Sequence, residues 1–281
     1  LTIFRIIYKH YTKYKYIKQS KRMIKMGNPL IFLFFFMTLS PNNIIISQQI
    51  DDVVVIKNRA YDGYETGGGA YYYAYSPYMT GLSKATTYLH LPTAVNTNGG
   101  KRNAYISLGV GGEKGFIDLG LLNSGQGWFP CYNNNGSMEC FQEYTAGYEV
   151  KIIGIEVEIV STRKVIFSIS FRDSYLKIFR SFSTTVDPNG VLVTENNKVK
   201  AKFYRFASLC NVSQPDDHYD HTYMINGIFT GLTIVVNGRG RPWGIDSDYV
   251  DVAWMYSSSR MEFSYNNDHE SFSIKNYNYP N

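Results

Sequence analysis

Between residues 151 and 182 the chain reads KIIGIEVEIVSTRKVIFSISFRDSYLKIFRSF, and apolar side chains return at every second position. Ile155, Val157 and Ile159 alternate with Glu156 and Glu158; Val165, Phe167, Ile169 and Phe171 then alternate around Ser168 and Ser170. A period of two puts successive side chains on opposite faces of a strand, whereas a helix needs a return every third or fourth residue. The breaks at 161–163 and 172–174 are short enough for hairpins. The stretch therefore predicts a three-stranded antiparallel meander with one dry face and one wet face.

Similar short runs occur at 52–57, 86–91, 104–110, 115–122, 200–209, 231–236 and 251–256. Turn chemistry separates them: Asn98-Gly-Gly, Asp187-Pro-Asn-Gly, Asn226-Gly and Asn237-Gly. No amphipathic helix is evident after residue 50, and no repeat of fixed period points to a propeller or solenoid. Many strands at regular spacing imply an all-β fold, and the clean alternation at 151–182 favours a two-sheet antiparallel β-sandwich of the jelly-roll kind over a closed barrel. The glycine-rich segment GVGGEKGFIDLGL (109–121) fits this scheme. A phosphate-cradling glycine loop follows a strand and opens a helix. Here the glycines lead into strand-like Phe116-Ile-Asp-Leu, so they predict a hairpin turn.

The first 47 residues read differently. Residues 1–25 carry eight Lys and Arg and no acid, and are followed by PLIFLFFFMTLS, which falls short of the roughly 20 residues that span a bilayer. A basic region before a short apolar run is the layout of a secretory signal peptide. The expectation is a leader over 1–47, with translation starting at Met23 or Met26, and a single β-sandwich domain over 48–281, secreted and without stable membrane insertion. Those eight residues leave 20 of the 28 Lys and Arg against 23 Asp and Glu, a net charge of about −3. The basic balance of the whole chain thus gives no support to nucleic-acid binding. Of three cysteines, Cys131 and Cys140 flank a polar Asn-Gly turn, so their pairing would close a short loop in an oxidising compartment; Cys210 is then left over or replaces one of them.

The succession AYISLGVGG, GFIDLGL, GQGWFP, a long meander, KFYRFASLC and GIFTGLTIVV (about 104–256) resembles the concanavalin A-like lectin/glucanase sandwich, and within it small secreted microbial proteins of unassigned function. The resemblance implies a jelly-roll with one concave sheet and carbohydrate as the default ligand class. It supplies no catalytic signature, and a fold does not by itself fix a function.

Three constellations carry candidate chemistry. Glycoside cleavage needs two carboxyl groups, and Glu156 and Glu158 share one face of a strand at roughly 6–7 Å by the rise per residue. GIEVEIV resembles the Glu-x-Asp-x-x-Glu strand of sandwich glucanases, but the middle acid is absent and Ser161 stands at the third position. Solvated acids on an outer face are the plainer reading. Asp118, alternating with Ile117 and Leu119, belongs either to a groove or to a wet strand face. The segment QPDDHYDHTY gathers Asp216, Asp217, His218, Asp220 and His221, donors suited to a transition metal or Ca²⁺, beside the plainer reading of an acidic surface loop. No nucleophile motif is present.

Aromatic residues are the remaining signal, with 25 Tyr and 17 Phe among 281 residues. Flat amphipathic rings stack on sugars, and Trp128, Trp243 and Tyr72, the last within AYYYAYSPY, are the expected ligand-stacking residues; Trp254 reads as core. The leading expectation is a non-catalytic, lectin-like module for extracellular or cell-surface polysaccharide, with no required cofactor beyond an optional Ca²⁺. A glycoside hydrolase or polysaccharide lyase using Glu156 and Glu158, and a structural surface or matrix protein, are the alternatives.

Overall fold

The computed structural model describes residues 53–57, 68–100, 102–123, 125, 127–134, 136–147, 149–173, 177–211, 221–256, 260–266 and 269–276. The expected leader lies outside them. The described residues all fall within one compact unit, Asp51–Asn281.

These residues form nineteen strands. The first nine are β1 (Val53–Lys57), β2 (Gly68–Tyr75), β3 (Met79–Thr80), β4 (Leu82–His90), β5 (Ala94–Asn96), β6 (Asn103–Gly112), β7 (Gly115–Asn123), β8 (Trp128–Asn134) and β9 (Ser137–Cys140). A short 3₁₀ turn, Gln142–Tyr144, precedes β10 (Ile152–Ser161), β11 (Lys164–Asp173), β12 (Ile178–Val186), β13 (Val193–Glu195) and β14 (Lys198–Asn211). The last five are β15 (Tyr223–Val236), β16 (Arg239–Pro242), β17 (Val252–Tyr256), β18 (Met261–Asn266) and β19 (His269–Lys275).

Two antiparallel sheets result. The first runs β1-β17-β2-β14-β6-β7-β8-β9, with β3 and β13 pairing onto β14. The second runs β12-β11-β10-β4-β15-β19-β18, with β5 and β16 pairing onto β15. The chain is an all-β sandwich, as its alternation predicts. The meander is present as β10–β12, in register from Ile153 opposite Phe171 to Ile159 opposite Val165. The glycine segment is the β6–β7 hairpin, in which Gly112 pairs with Gly115 around Glu113 and Lys114.

Between the sheets lie the inward residues of both: Ile106, Leu108, Ile117, Leu119 and Phe203 from the first, Leu89, Ile155, Val157, Phe167, Phe229 and Ile234 from the second. Each such side chain contributes about 1.5–3 kcal/mol by leaving water. One polar tie crosses this apolar layer. Arg205 on β14 and Glu270 on β19, both fully buried, form a bidentate ion pair through Nε (2.6 Å) and Nη2. The Glu270 carboxylate also accepts the Tyr72 hydroxyl at 2.6 Å and the Ile245 amide at 3.1 Å. Burial disfavours the charged guanidinium, yet the carboxylate beside it holds the Arg205 pKa above its ordinary value. Burial likewise pushes the Tyr72 hydroxyl well above the usual range.

Cys131 and Cys140 face each other across β8 and β9 and are joined as a disulfide, with Cα atoms 4.2 Å apart. Cys210 is not part of this disulfide.

Candidate ligand-binding faces

The residues expected to stack on a ligand lie in the interior. Trp243 and Tyr72 are fully buried and Trp128 retains 2% of its surface, so none offers a ring face to solvent. Each has a local reason. Trp128 opens β8 instead of sitting in a loop, and its backbone is locked to Ala146 by reciprocal hydrogen bonds of 3.2 and 2.7 Å. Trp243 follows β16 and lies against the Arg205 guanidinium, whose Cζ is 4.6 Å from the ring centroid. Tyr72 has the inward phase of β2, shared with Ala70 and Ala74. The stacking assignment of these three is therefore corrected to a core role.

The same alternation sends Tyr71, Tyr73 and Tyr75 to the opposite, outer face of the first sheet. There Tyr73 meets Phe206 of β14 (ring centroids 4.9 Å, 23° between planes) and Trp254 of β17 (4.9 Å, 22°). Tyr204 continues the layer beside Phe206 at 6.1 Å, and Tyr105 of β6 meets Phe206 at 5.3 Å. Cross-strand aromatic pairs of this kind each add about 0.5–1.5 kcal/mol beyond their burial. Tyr105, Leu122, Phe129, Cys131, Tyr204 and Phe206 form a second apolar cluster, distinct from the inter-sheet core. Tyr73, Tyr75 and Phe116 remain half-buried at its surface.

Asp118 of β7 belongs to this face. Its carboxylate accepts the Tyr204 hydroxyl at 2.5 Å and the Asn133 side-chain amide at 3.2 Å. Tyr204 reaches it by leaning across β6, where Gly109 leaves room: a Cβ at 109 would stand 2.1 Å from the Tyr204 ring. Burial among the rings pushes the Asp118 pKa up to about 6, against the opposing pull of its two donors. The Lys202 ammonium lies 4.7 Å from the centre of the Tyr75 ring and 5.2 Å from that of Phe116. The face thus combines half-buried rings, one cation and one carboxyl that changes charge near pH 6.

The outer face of the second sheet is of another kind. Glu156 and Glu158 do project together from β10, and Lys84 of β4 bridges them at 2.9 and 3.8 Å. Both carboxylates are about two-fifths exposed. This is a solvated ion-pair cluster, the plainer of the two sequence readings. Along one row of the sheet stand Ser181, Ser170, Gly154, Tyr88, Thr230 and His269. Tyr88 is 60% exposed and lies alongside Gly154 and Gly231. A shallow groove of about 510 Å³ at this end is lined by His90, Leu91, Thr93, Lys151, Asn226, Ile228, His269 and Ser271.

Of the expected metal donors, Asp216, Asp217, His218 and Asp220 lie outside the described residues. His221 is exposed, with its backbone tied to Asn276 and Asn96. Among the described residues no three His, Cys, Asp or Glu gather as a metal set, and no helix is long and apolar enough to cross a membrane.

No protein-family model matches the chain, and no curated protein matches its sequence. Among solved structures it is similar to scytalido-glutamic peptidase bound to a peptide-based transition-state analogue, with 11% identity over 79% of this chain and all of that one, at a TM-score of 0.46. It is also similar to SCP-B, a peptidase of the eqolisin family in complex with the tripeptide Ala-Ile-His, with 11% identity, the same coverage and a TM-score of 0.44.

Proposed function

We propose that the chain is a secreted, lectin-like binding protein for extracellular or cell-surface polysaccharide, and that the ligand lies on the outer face of the first sheet. The observation that supports this reading is the aromatic layer across β17, β2, β14 and β6, with half-buried Tyr73, Tyr75 and Phe116 beside Lys202 and Asp118. Sugars present apolar ring faces and polar edges together, and rings with hydroxyls, a carboxyl and an ammonium within reach meet both demands. The segment 214–223 would add Ca²⁺ if the ligand requires it.

A glycan array probed with the purified chain, once with Ca²⁺ and once with chelator, tests the proposal. Binding that falls at least tenfold in Tyr73→Ala and Tyr75→Ala is the expected result. Loss in chelator assigns a cation to the binding event. Silence on every glycan, together with self-association in light scattering, overturns the reading in favour of a structural matrix protein.

A further inference from the structure

Asn-Gly occurs five times in the chain, and in four of these pairs both residues are described: Asn98-Gly99, Asn189-Gly190, Asn226-Gly227 and Asn237-Gly238. Such a pair carries its own chemistry. The glycine nitrogen attacks the asparagine Cγ; the new N–C bond forms, the bond from Cγ to the side-chain nitrogen breaks, and that nitrogen leaves as ammonia with the glycine N–H proton. A five-membered succinimide remains. Water then opens the ring at either carbonyl, giving aspartate or isoaspartate, and no other reactant is needed. Glycine suits the attack because no Cβ crowds its nitrogen. The four pairs are alike in sequence, so the fold decides which of them can bring nitrogen and Cγ into reacting geometry.

Asn98-Gly99 lies at the tip of the turn from β5 to β6. Asn98, Gly99 and Gly100 are all exposed, with φ of 51°, 67° and 85°. No atom stands within 4 Å of the position a Gly99 Cβ would take. The turn is closed at its base, where the Arg102 N–H donates to the Thr97 carbonyl at 3.1 Å and the Asn98 N–H donates to Asn96 Oδ1 at 3.0 Å. Among the described residues, neither the Gly99 N–H nor the Asn98 carboxamide is hydrogen-bonded. The attacking nitrogen and the leaving amide are therefore both free to move.

The other three pairs are held. Asn226-Gly227 lies within β15 at a bulge: the Asn226 N–H donates to Ser273 Oγ at 3.0 Å, and buried Gly227 sits under the Phe272 ring, which occupies the space a Cβ would need. Asn237-Gly238 is the two-residue loop of the β15–β16 hairpin, with φ of 49° and 76° between paired Val236 and Arg239. Its Asn237 N–H donates to the Gly81 carbonyl at 2.8 Å, and the Asn237 side chain lies against Gly81. Asn189-Gly190 is exposed but follows Pro188, whose ring fixes φ. The Asn189 N–H donates to Asp187 Oδ1 and the Val191 N–H to the Pro188 carbonyl, each at 2.9 Å.

We propose that Asn98 is a self-modifying site, cyclising to a succinimide and opening to aspartate and isoaspartate in the folded chain, because the fold leaves this pair less restrained than the other three. Asn189 follows it, and Asn226 and Asn237 come last. Each event replaces a neutral amide by a carboxylate, and the isoaspartate product also adds one methylene to the main chain of the β5–β6 turn. The proposal is independent of the polysaccharide reading.

The test incubates the full chain in mildly alkaline buffer, once folded and once in concentrated urea. Peptide mapping by mass spectrometry follows each of the four pairs, and enzymatic methylation of isoaspartate identifies the product. In the folded chain Asn98 should convert at least tenfold faster than Asn226 and Asn237, which react only after local opening. In urea the four pairs should convert at similar rates. Asn98 intact in the folded chain while it reacts in urea overturns the proposal, and so does Asn226 or Asn237 keeping pace with it. A ranking that persists unchanged in urea assigns the difference to local sequence and overturns the role given to the fold.

Discussion

Replacing Arg205 with methionine is the sharpest test of what joins the two sheets. Met fills much of the same volume but supplies no charge and no donor. Glu270, fully buried, then keeps only the Tyr72 hydroxyl and the Ile245 amide of its four hydrogen bonds, and Trp243 loses the guanidinium 4.6 Å from its ring. Stranding one partner of a buried pair costs about 3–5 kcal/mol. For a domain of this size 1 kcal/mol lowers Tm by about 2–4 °C, so a drop of about 6–20 °C is expected. Urea unfolding followed by tryptophan fluorescence and circular dichroism measures both quantities. The pair itself need not be net stabilising, because two charges had to leave water to form it. The triple variant Arg205→Met/Glu270→Met/Tyr72→Phe, which removes every member of the network except the Ile245 amide, should therefore regain at least about 1 kcal/mol over Arg205→Met. A loss below about 1 kcal/mol in the single variant, or a triple variant less stable than the single, would refute the reasoning.

Other consequences follow from the first sheet. Asp118 binds its proton more tightly folded, at about 6, than unfolded, at about 3.9, so it makes stability decline as pH rises from about 4 to about 6 and adds no slope beyond. A fully dry site would give about 3 kcal/mol; Asp118 is only half-buried, so about 1–2 kcal/mol is expected as the difference between the wild type and Asp118→Asn across urea melts at pH 4 and pH 7, and parallel pH profiles would refute it. Gly109→Ala sets a methyl 2.1 Å from the Tyr204 ring and must displace it from Asp118. Since that hydrogen bond lowers the Asp118 pKa, its titration midpoint should rise above about 6, read by carboxyl NMR, with about 1–3 kcal/mol of stability lost. Cys131→Ser/Cys140→Ser opens a loop with a sequence separation of 9 and should cost about 2.5 kcal/mol in the same melts.

The parts of the fold legible in the sequence are those fixed by neighbours along the chain. Alternation at 151–182 yields β10–β12 because each side chain's face follows from its place in the strand, and Asn237-Gly marks the β15–β16 turn, with a φ of 49° at Asn237; Asn226-Gly, expected as a turn between strands, instead lies inside β15 at a bulge, where Asn226 has a φ of 56°. The aromatic bets failed for a related reason. In AYYYAY the alanines at 70 and 74 mark the tight inward face, so Tyr72 shares their phase and Tyr73 and Tyr75 do not; the signal was present in the phase of the run and absent from its composition. Trp243 had no such local cue. Its burial depends on Arg205, 38 positions away, whose charge is tolerated only because Glu270, 65 positions further on, answers it.

The two outer faces show how the same alternation produces opposite surfaces. On the second sheet the outward positions of β10, β11 and β12 include Glu156, Glu158, Ser168, Ser170, Ser181 and Ser183, which keep their hydration, beside exposed Ile152, Val160 and Phe179. Ser168 and Ser183 are bonded to each other at 2.9 Å and remain near the surface. On the first sheet the outward positions of β2, β14 and β17 include Tyr71, Tyr73, Tyr75, Tyr204, Phe206, Trp254 and Tyr256, whose rings cover one another across strands about 4.8 Å apart. Small residues at Ser107, Gly109 and Gly120 let the large ones lie down over the central strands. A carboxyl placed within such a layer loses part of its water, and Asp118 responds as a group in that position must, by holding its proton to about pH 6. Glu156 and Glu158 stand on a face that keeps its water and share one lysine. Burial of the surrounding strand face, more than proximity to another carboxyl, is what makes Asp118 chemically distinctive here.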